Sequence, residues 1–141
     1  MSKALNRLAA IDWGLLTIRA GLGTMMIVHG WPKLAGGSDK WVAVGASGLS
    51  AFGEYAGSLA LSFGLMAALA ETLGGLLVML GLQFRVATLA LVATMIFASL
   101  YHIKANHDFP SLSHSIEVGI VFLGLFISGP GRLTVQRLLK R

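Results

Sequence analysis

Four apolar runs, each close to the length needed to cross a lipid bilayer, dominate this sequence. They are Ile11–Trp31, Ala56–Leu82, Val86–Ile103 and Leu112–Ser128. A hydrocarbon layer of about 30 Å takes ~20 helical residues, and backbone in lipid must satisfy its own hydrogen bonds, so such runs fold as helices. A composition of 55% hydrophobic and 12% charged residues agrees with that setting. The expected fold is all-α: an integral membrane four-helix bundle forming one domain over residues 1–141.

The links between the runs fix the expected topology. Only Gln83, Phe84 and Arg85 separate the second and third, which predicts a tight antiparallel hairpin. Lys3, Arg7, Arg85, Arg132, Arg137, Lys140 and Arg141 flank one side of the membrane; Lys33, Lys40 and Lys104 flank the other. The positive-inside rule then predicts cytoplasmic N- and C-termini and an external loop over residues 32–55. Within that loop, "SDKWVAVGASGL" reads as a short helix with Ser38 as N-cap, dipping into the interface beside Trp41. Gly129-Pro130-Gly131 ends the fourth helix, and residues 129–141 form a basic tail suited to anionic lipid. Lys3 and Arg7 before an apolar run have the look of a signal peptide, but Arg19 within the run and the lack of an A-x-A site argue against cleavage.

Several functions are excluded by composition. There is no cysteine, hence no disulfide framework, thiolate metal site or CxxC chemistry, and any redox role must borrow a cofactor. The net charge of +5 does not point to nucleic acid, because Lys and Arg flank apolar runs instead of forming a basic face interleaved with aromatics. The lipid bilayer is the expected partner.

Small residues recur at helical spacing: Ala60, Gly64 and Ala68; Ala67, Glu71 and Gly75; Ala90, Thr94 and Ala98. Such rows let helix backbones approach closely in lipid. Arg19 and Glu71 lie inside apolar runs, where a charge costs ~2.5–3.5 kcal/mol even on lenient insertion scales. Counted inward from the outer ends of their helices, both fall at ~20 Å depth, which predicts an Arg19–Glu71 structural ion pair. Glu71 is also the candidate proton carrier. A second polar layer is expected nearer the outer surface, where His29, His102, His114 and Glu117 fall within two turns of the interface and His107 can fold back. Imidazoles and a carboxylate from three helices suit a zinc, copper or iron ion, and equally the carbonyls of a quinone.

The segments "RAGLGTMMIVHGWPKL", "ALAETLGGLLVMLGLQFRVATLAL" and "GPGRL" before a basic tail resemble the DoxX family of small four-helix bacterial membrane proteins, from about Leu15 to Leu133. Arg19, then His29, Gly30 and Lys33, then Glu71, Gly74 and Gly75, and finally Gly129 to Gly131 match the family pattern; His114 and Glu117 are not part of it. The resemblance implies the bacterial cytoplasmic (inner) membrane and a protein partner in a membrane redox complex. Family members are similar to the small membrane subunit of a thiosulfate:quinone oxidoreductase, and others are linked to oxidoreductase complexes in thiol and oxidative-stress handling.

Two functions fit these residues. One is a membrane subunit of a quinone-linked oxidoreductase system, with a quinone or similar small ligand in an outer-leaflet pocket of His29, Lys33, His102, His114 and Glu117. The other is a non-catalytic membrane protein that binds a metal ion through His29, His102, His114 and Glu117, or that anchors and assembles a partner complex or its own homo-oligomer. The topology is directly testable: Ser47→Cys should react with a membrane-impermeant thiol reagent in intact spheroplasts, and labelling only after lysis would reverse the orientation.

Overall fold

The computed structural model describes residues 2–53 and 59–139, with side chains from Asn6 onward. The Ala56 start expected for the second span, Tyr55 at the end of the loop, and Lys140 and Arg141 of the tail fall outside the described residues, as does the Lys3 side chain. Among the described residues every regular element is helical: α1 (Ser2–Ala35), α2 (Gly37–Leu49), α3 (Ala60–Leu80), α4 (Phe84–Lys104), α5 (Phe109–Ser128) and the short α6 (Val135–Leu138). Four of them, α1 from Asn6, α3, α4 and α5, are long and apolar enough to cross a membrane. The chain is a multi-pass membrane protein.

Its packing is that of a protein in lipid. The buried centre is small, made of Met26, Val78, Phe84, Ala87, Leu91, Met95, Val118, Phe122 and Leu125. Large apolar side chains such as Ile11, Val28, Leu73, Val86, Ile120 and Ile127 face outward. In hydrocarbon they need not be hidden, and helices associate through close backbone approach and a few polar contacts. One such contact joins α4 to α5, where the Ser99 and Ser115 hydroxyls lie 2.8 Å apart.

The first span departs from expectation. Helix α1 does not stop at Trp31; it runs through Pro32 to Ala35. Proline removes one helical hydrogen bond and costs ~3 kcal/mol inside a helix in water. Neighbouring helices make the loss tolerable in a membrane bundle. The break comes at Gly36 and Gly37, where Gly37 has φ +72°, and Trp41 Nε1 donates to the Leu34 carbonyl across it at 3.2 Å. Gly36, without a side-chain cap, precedes α2, so Ser38 is not the N-cap.

Helix α2, expected to dip into the interface, packs against the bundle. It lies antiparallel against the first half of α3, with Gly45 on Ala60 and Gly64 on Trp41, so close that a Cβ at either glycine would run into the facing carbonyl. The second half of α3 faces α1 in the same way: a Cβ on Gly23 would come 2.6 Å from the Gly75 carbonyl oxygen, and one on Gly30 would come 2.6 Å from Thr72 N. Thus α1 ends opposite the middle of α3, and α2 continues along the rest of it. Much of the expected loop 32–55 belongs to the bundle.

The remaining connections are short. Helix α3 turns at Gly81 (φ +68°) into α4, which starts at Phe84. Helix α5 starts at Phe109, after extended Asp108 and with Pro110 in its first turn, and stops at Ser128 before Gly129 (φ +76°). The chain then folds back on α1. Asp12 accepts from the Arg132 backbone N–H at 2.7 Å and from its Nε at 2.6 Å, so the tail is held to the bundle. Gly64→Leu should lower the melting temperature of the detergent-solubilised protein, with a loss of at least ~1–3 kcal/mol as for other overpacked sites. Gly124→Leu, where a Cβ meets nothing within 4 Å, should leave it near wild type.

Candidate functional site

Glu71 sits where α3 changes its winding. Residues Ala70–Gly74 form a single π-helical turn between the α-helical halves Ala60–Leu69 and Gly75–Leu80. Such turns recur at functional sites because they widen the helix and redirect side chains. Here Glu71, Thr72, Gly74 and Gly75 all face the bundle while Leu73 points out.

The partner of Glu71 is Lys33, not Arg19. Lys33 Nζ lies 2.7 Å from Oε1 and 2.6 Å from Oε2, and the carboxylate residue is only 4% exposed. The expectation of an Arg19–Glu71 pair counted depth from Trp31 as the outer end of α1. Because α1 stops opposite the middle of α3, Lys33 comes level with Glu71 instead. Arg19 lies beneath the Gly81 turn, ten residues further along the chain from Glu71 and so ~15 Å away along the axis. There its Nη2 donates to the Leu133 carbonyl.

The ion pair forms one end of a cavity of about 530 Å³. Its walls come from α2 (Ala43, Val44, Gly48), α3 (Phe63, Met66, Ala67) and α4 (Ala93, Phe97, Ala98). Phe63 and Phe97 meet edge to face at 4.6 Å, and Phe52 lies against Phe97 at 5.9 Å. Lys40 joins Lys33 and Glu71 in the lining, while Tyr101 and His102 close the other end. Glu71 is eight residues deeper than Phe63 and His102 five residues beyond Phe97, so the polar ends stand about 20 Å apart. A long apolar slot with polar groups at its two ends is suited to a ligand with an apolar body and acceptor oxygens.

The expected His/Glu layer is not assembled. Of His29, Lys33, His102, His114 and Glu117, the cavity takes Lys33 and His102. His29 is level with Glu71, since Gly30 packs on it, and is exposed on the outer side of α1. That leaves it ~20 Å from His102 in depth, where a common layer had been expected. His114 and Glu117 share a face of α5 but point out of the bundle. His102 pairs with His107 of the following turn, Nδ1 to Nδ1 at 2.8 Å, beside the Tyr101 ring. Among the described residues no three His, Asp or Glu side chains gather to hold a metal ion. A bound metal therefore has no ligand set in the His29, His102, His114 and Glu117 group.

Sequence reasoning missed Lys40, the aromatic wall and the whole contribution of α2. Its small residues Ala43, Gly45, Ser47 and Gly48 carried the signal, because a helix standing in the interface has no need of a small-residue face.

Four spanning helices, with an apolar cavity between α2, α3 and α4 bounded at one end by the Lys33–Glu71 pair, define a small multi-pass membrane protein. The DoxX family profile matches residues 14–103, and the chain belongs to that family. The matched segment contains every residue lining the cavity, whereas α5 and the tail lie beyond it. Comparisons with curated proteins and with solved structures give no match.

Removing either partner of the pair leaves a charge stranded in the bundle, a loss of up to ~3–5 kcal/mol in buried cases. Lys33→Met and Glu71→Gln should each lower the melting temperature, with the loss from Lys33→Met smaller than in a fully buried pair because its side chain is 31% exposed. Lys33→Glu with Glu71→Lys should recover part of it. Arg19→Gln with Glu71→Gln should be additive; strong coupling between those two would restore the Arg19–Glu71 pairing.

Proposed function

We propose that the chain is a membrane subunit of a quinone-linked oxidoreductase system, placed in the bacterial cytoplasmic membrane with both termini in the cytoplasm, and that the cavity between α2, α3 and α4 takes a quinone or a similar small ligand. The observation that carries this reading is the chemistry of the cavity: an apolar slot of about 530 Å³, with Lys33, Lys40 and Glu71 at one end and His102 at the other. That volume lies within the range of small-molecule sites. Membership of a family linked to membrane oxidoreductases supports it.

The residues present fit such a ligand. A bound quinone supplies two-electron, two-proton chemistry. Lys33 is occupied by both oxygens of Glu71, but Lys40 has no carboxylate partner among the described residues, so its ammonium can donate to a carbonyl oxygen. Glu71, paired with Lys33, is the group that would pass a proton to the carbonyl oxygen at that end as electrons arrive. Phe63, Phe97 and Val44 make the body of the slot apolar. At the opposite end His102, in contact with His107 of the loop, would bring protons in from solvent as the quinone is reduced. The electrons must come from a protein partner.

A second reading concerns that partner. Glu117 and His114 are exposed on α5 among Ile116 and Ile120, and an ionisable group on an outward face of a membrane helix is costly against lipid. This favours α5 as the face that anchors a partner protein or a second copy.

A short-chain ubiquinone analogue titrated into the full-length protein in nanodiscs should quench Trp fluorescence saturably. Filling the slot with Ala93→Phe or Ala67→Phe should weaken binding about tenfold or more, equivalent to ~1.4 kcal/mol. His29→Ala should leave it unchanged. Absence of saturable binding, or binding indifferent to both slot-filling variants, would remove the quinone from this cavity.

A further inference from the structure

At the other end of the bundle, a second cavity of about 990 Å³ lies between α1, the end of α3 and the C-terminal segment. Its lining has two chemistries. Trp13, Leu16, Met79 and Leu80 make an apolar wall, and Arg19, Arg132 and Arg137 make a basic one. Asp12 is the acidic residue of the lining, and both its carboxylate oxygens are already bonded to Arg132. Among the described residues, three guanidinium groups facing one carboxylate leave two positive charges uncompensated.

Arg19 makes this more than a surface charge. It is 1% exposed, and although Nη2 donates to the Leu133 carbonyl, Nε and Nη1 have no hydrogen-bond partner among the described residues. A buried guanidinium with idle donors and no counter-ion is among the least favourable arrangements a protein can hold, and natural structures relieve it with an anion or water. The fixed planar fork of arginine matches the oxygens of a phosphate as it does those of a carboxylate, and phosphate is the anion that a membrane presents beside an apolar wall. Thr134, buried at the same place, accepts from the Arg137 backbone N–H, which leaves its hydroxyl proton free to donate.

We propose that this cavity binds a phosphate-bearing anion, held between Arg19 and Arg137 with Thr134 as a further donor. The site is distinct from the slot of the proposed function and does not depend on it. Two sources share this chemistry. An anionic phospholipid would place its phosphate among the arginines and its acyl chain along Trp13, Leu16 and Met79; a free phosphate would use the basic half alone. Occupancy would also tie the tail to α1, because Arg19 and Asp12 already grip Leu133 and Arg132.

Native mass spectrometry of the delipidated full-length protein, titrated with phosphatidylglycerol, phosphatidylcholine or inorganic phosphate, tests the site. Phosphatidylglycerol should bind at about tenfold lower concentration than phosphatidylcholine. Inorganic phosphate should compete with it if the headgroup is what is recognised, and binding by inorganic phosphate alone would identify the free anion as the source. Arg137→Gln, an exposed position that should not disturb folding, should weaken the anion several-fold with the melting temperature of the lipid-free protein unchanged, and Arg19→Gln should abolish binding. Arg85→Gln, a cation at the same end outside the cavity, is the control. Equal binding of the two lipids without any effect of phosphate, wild-type affinity in Arg137→Gln, or an equal loss in Arg85→Gln would overturn the proposal.

Discussion

A carboxylate inside hydrocarbon must meet a cation, and the way Glu71 meets Lys33 governs the rest of this structure. Lys33 reaches Glu71 because α1 runs past Pro32 and stops opposite the middle of α3. That stop, at Gly36 and Gly37, leaves the first half of α3 uncovered, and α2 fills the place. The slot between α2, α3 and α4 follows from this arrangement. Had α1 ended at the surface, there would be neither a wall of α2 residues nor an ion pair at the base of the cavity.

Close backbone approach is the second constraint. In lipid there is little to gain by burying leucine against leucine, so contact depends on glycine and alanine faces that bring main chains together. Gly23 and Gly75 do this between α1 and α3, and Gly45 and Gly64 do it between α2 and α3. The contrast with α4 is informative. Its residues Ala90, Ala93 and Ala98 are just as small, but they line the slot, so small side chains there leave volume where the glycines elsewhere remove it.

The two ends of the bundle treat their charges differently. Glu71 is matched by one lysine with both oxygens engaged, a closed arrangement. Arg19 is matched by a backbone carbonyl alone, and its excess charge sits beside a tail that brings in two more arginines. One end is therefore poised around a neutral pair, the other around a net positive charge. Polar chemistry thus stands at two depths joined by α1 and α3, and the ligands proposed for them differ accordingly, one with an apolar body and the other an anion.

The sequence by itself determined the four spanning helices, since run length and apolar content leave hydrocarbon no other secondary structure to accept. It also singled out Glu71, Arg19 and Lys33 as residues with a reason to be where they are, and Gly129 as the end of α5. The sequence did not determine partnership. Depth along a helix can be counted only from a known end, and the end of α1 is set by packing on α3, because Pro32 looks like a stop until neighbouring helices make it tolerable. The same uncertainty of origin put His29 in a layer with His102, when helix geometry sets them ~20 Å apart. Facing direction was the other thing out of reach: the i,i+3 spacing of His114 and Glu117 gives them a common face, but only contact between α4 and α5 through Ser99 and Ser115 decides that this face points outward. Periodicity is local and survives in sequence; register between helices is a property of the packed bundle, and the ion pair, the slot and the basic cavity all depend on it.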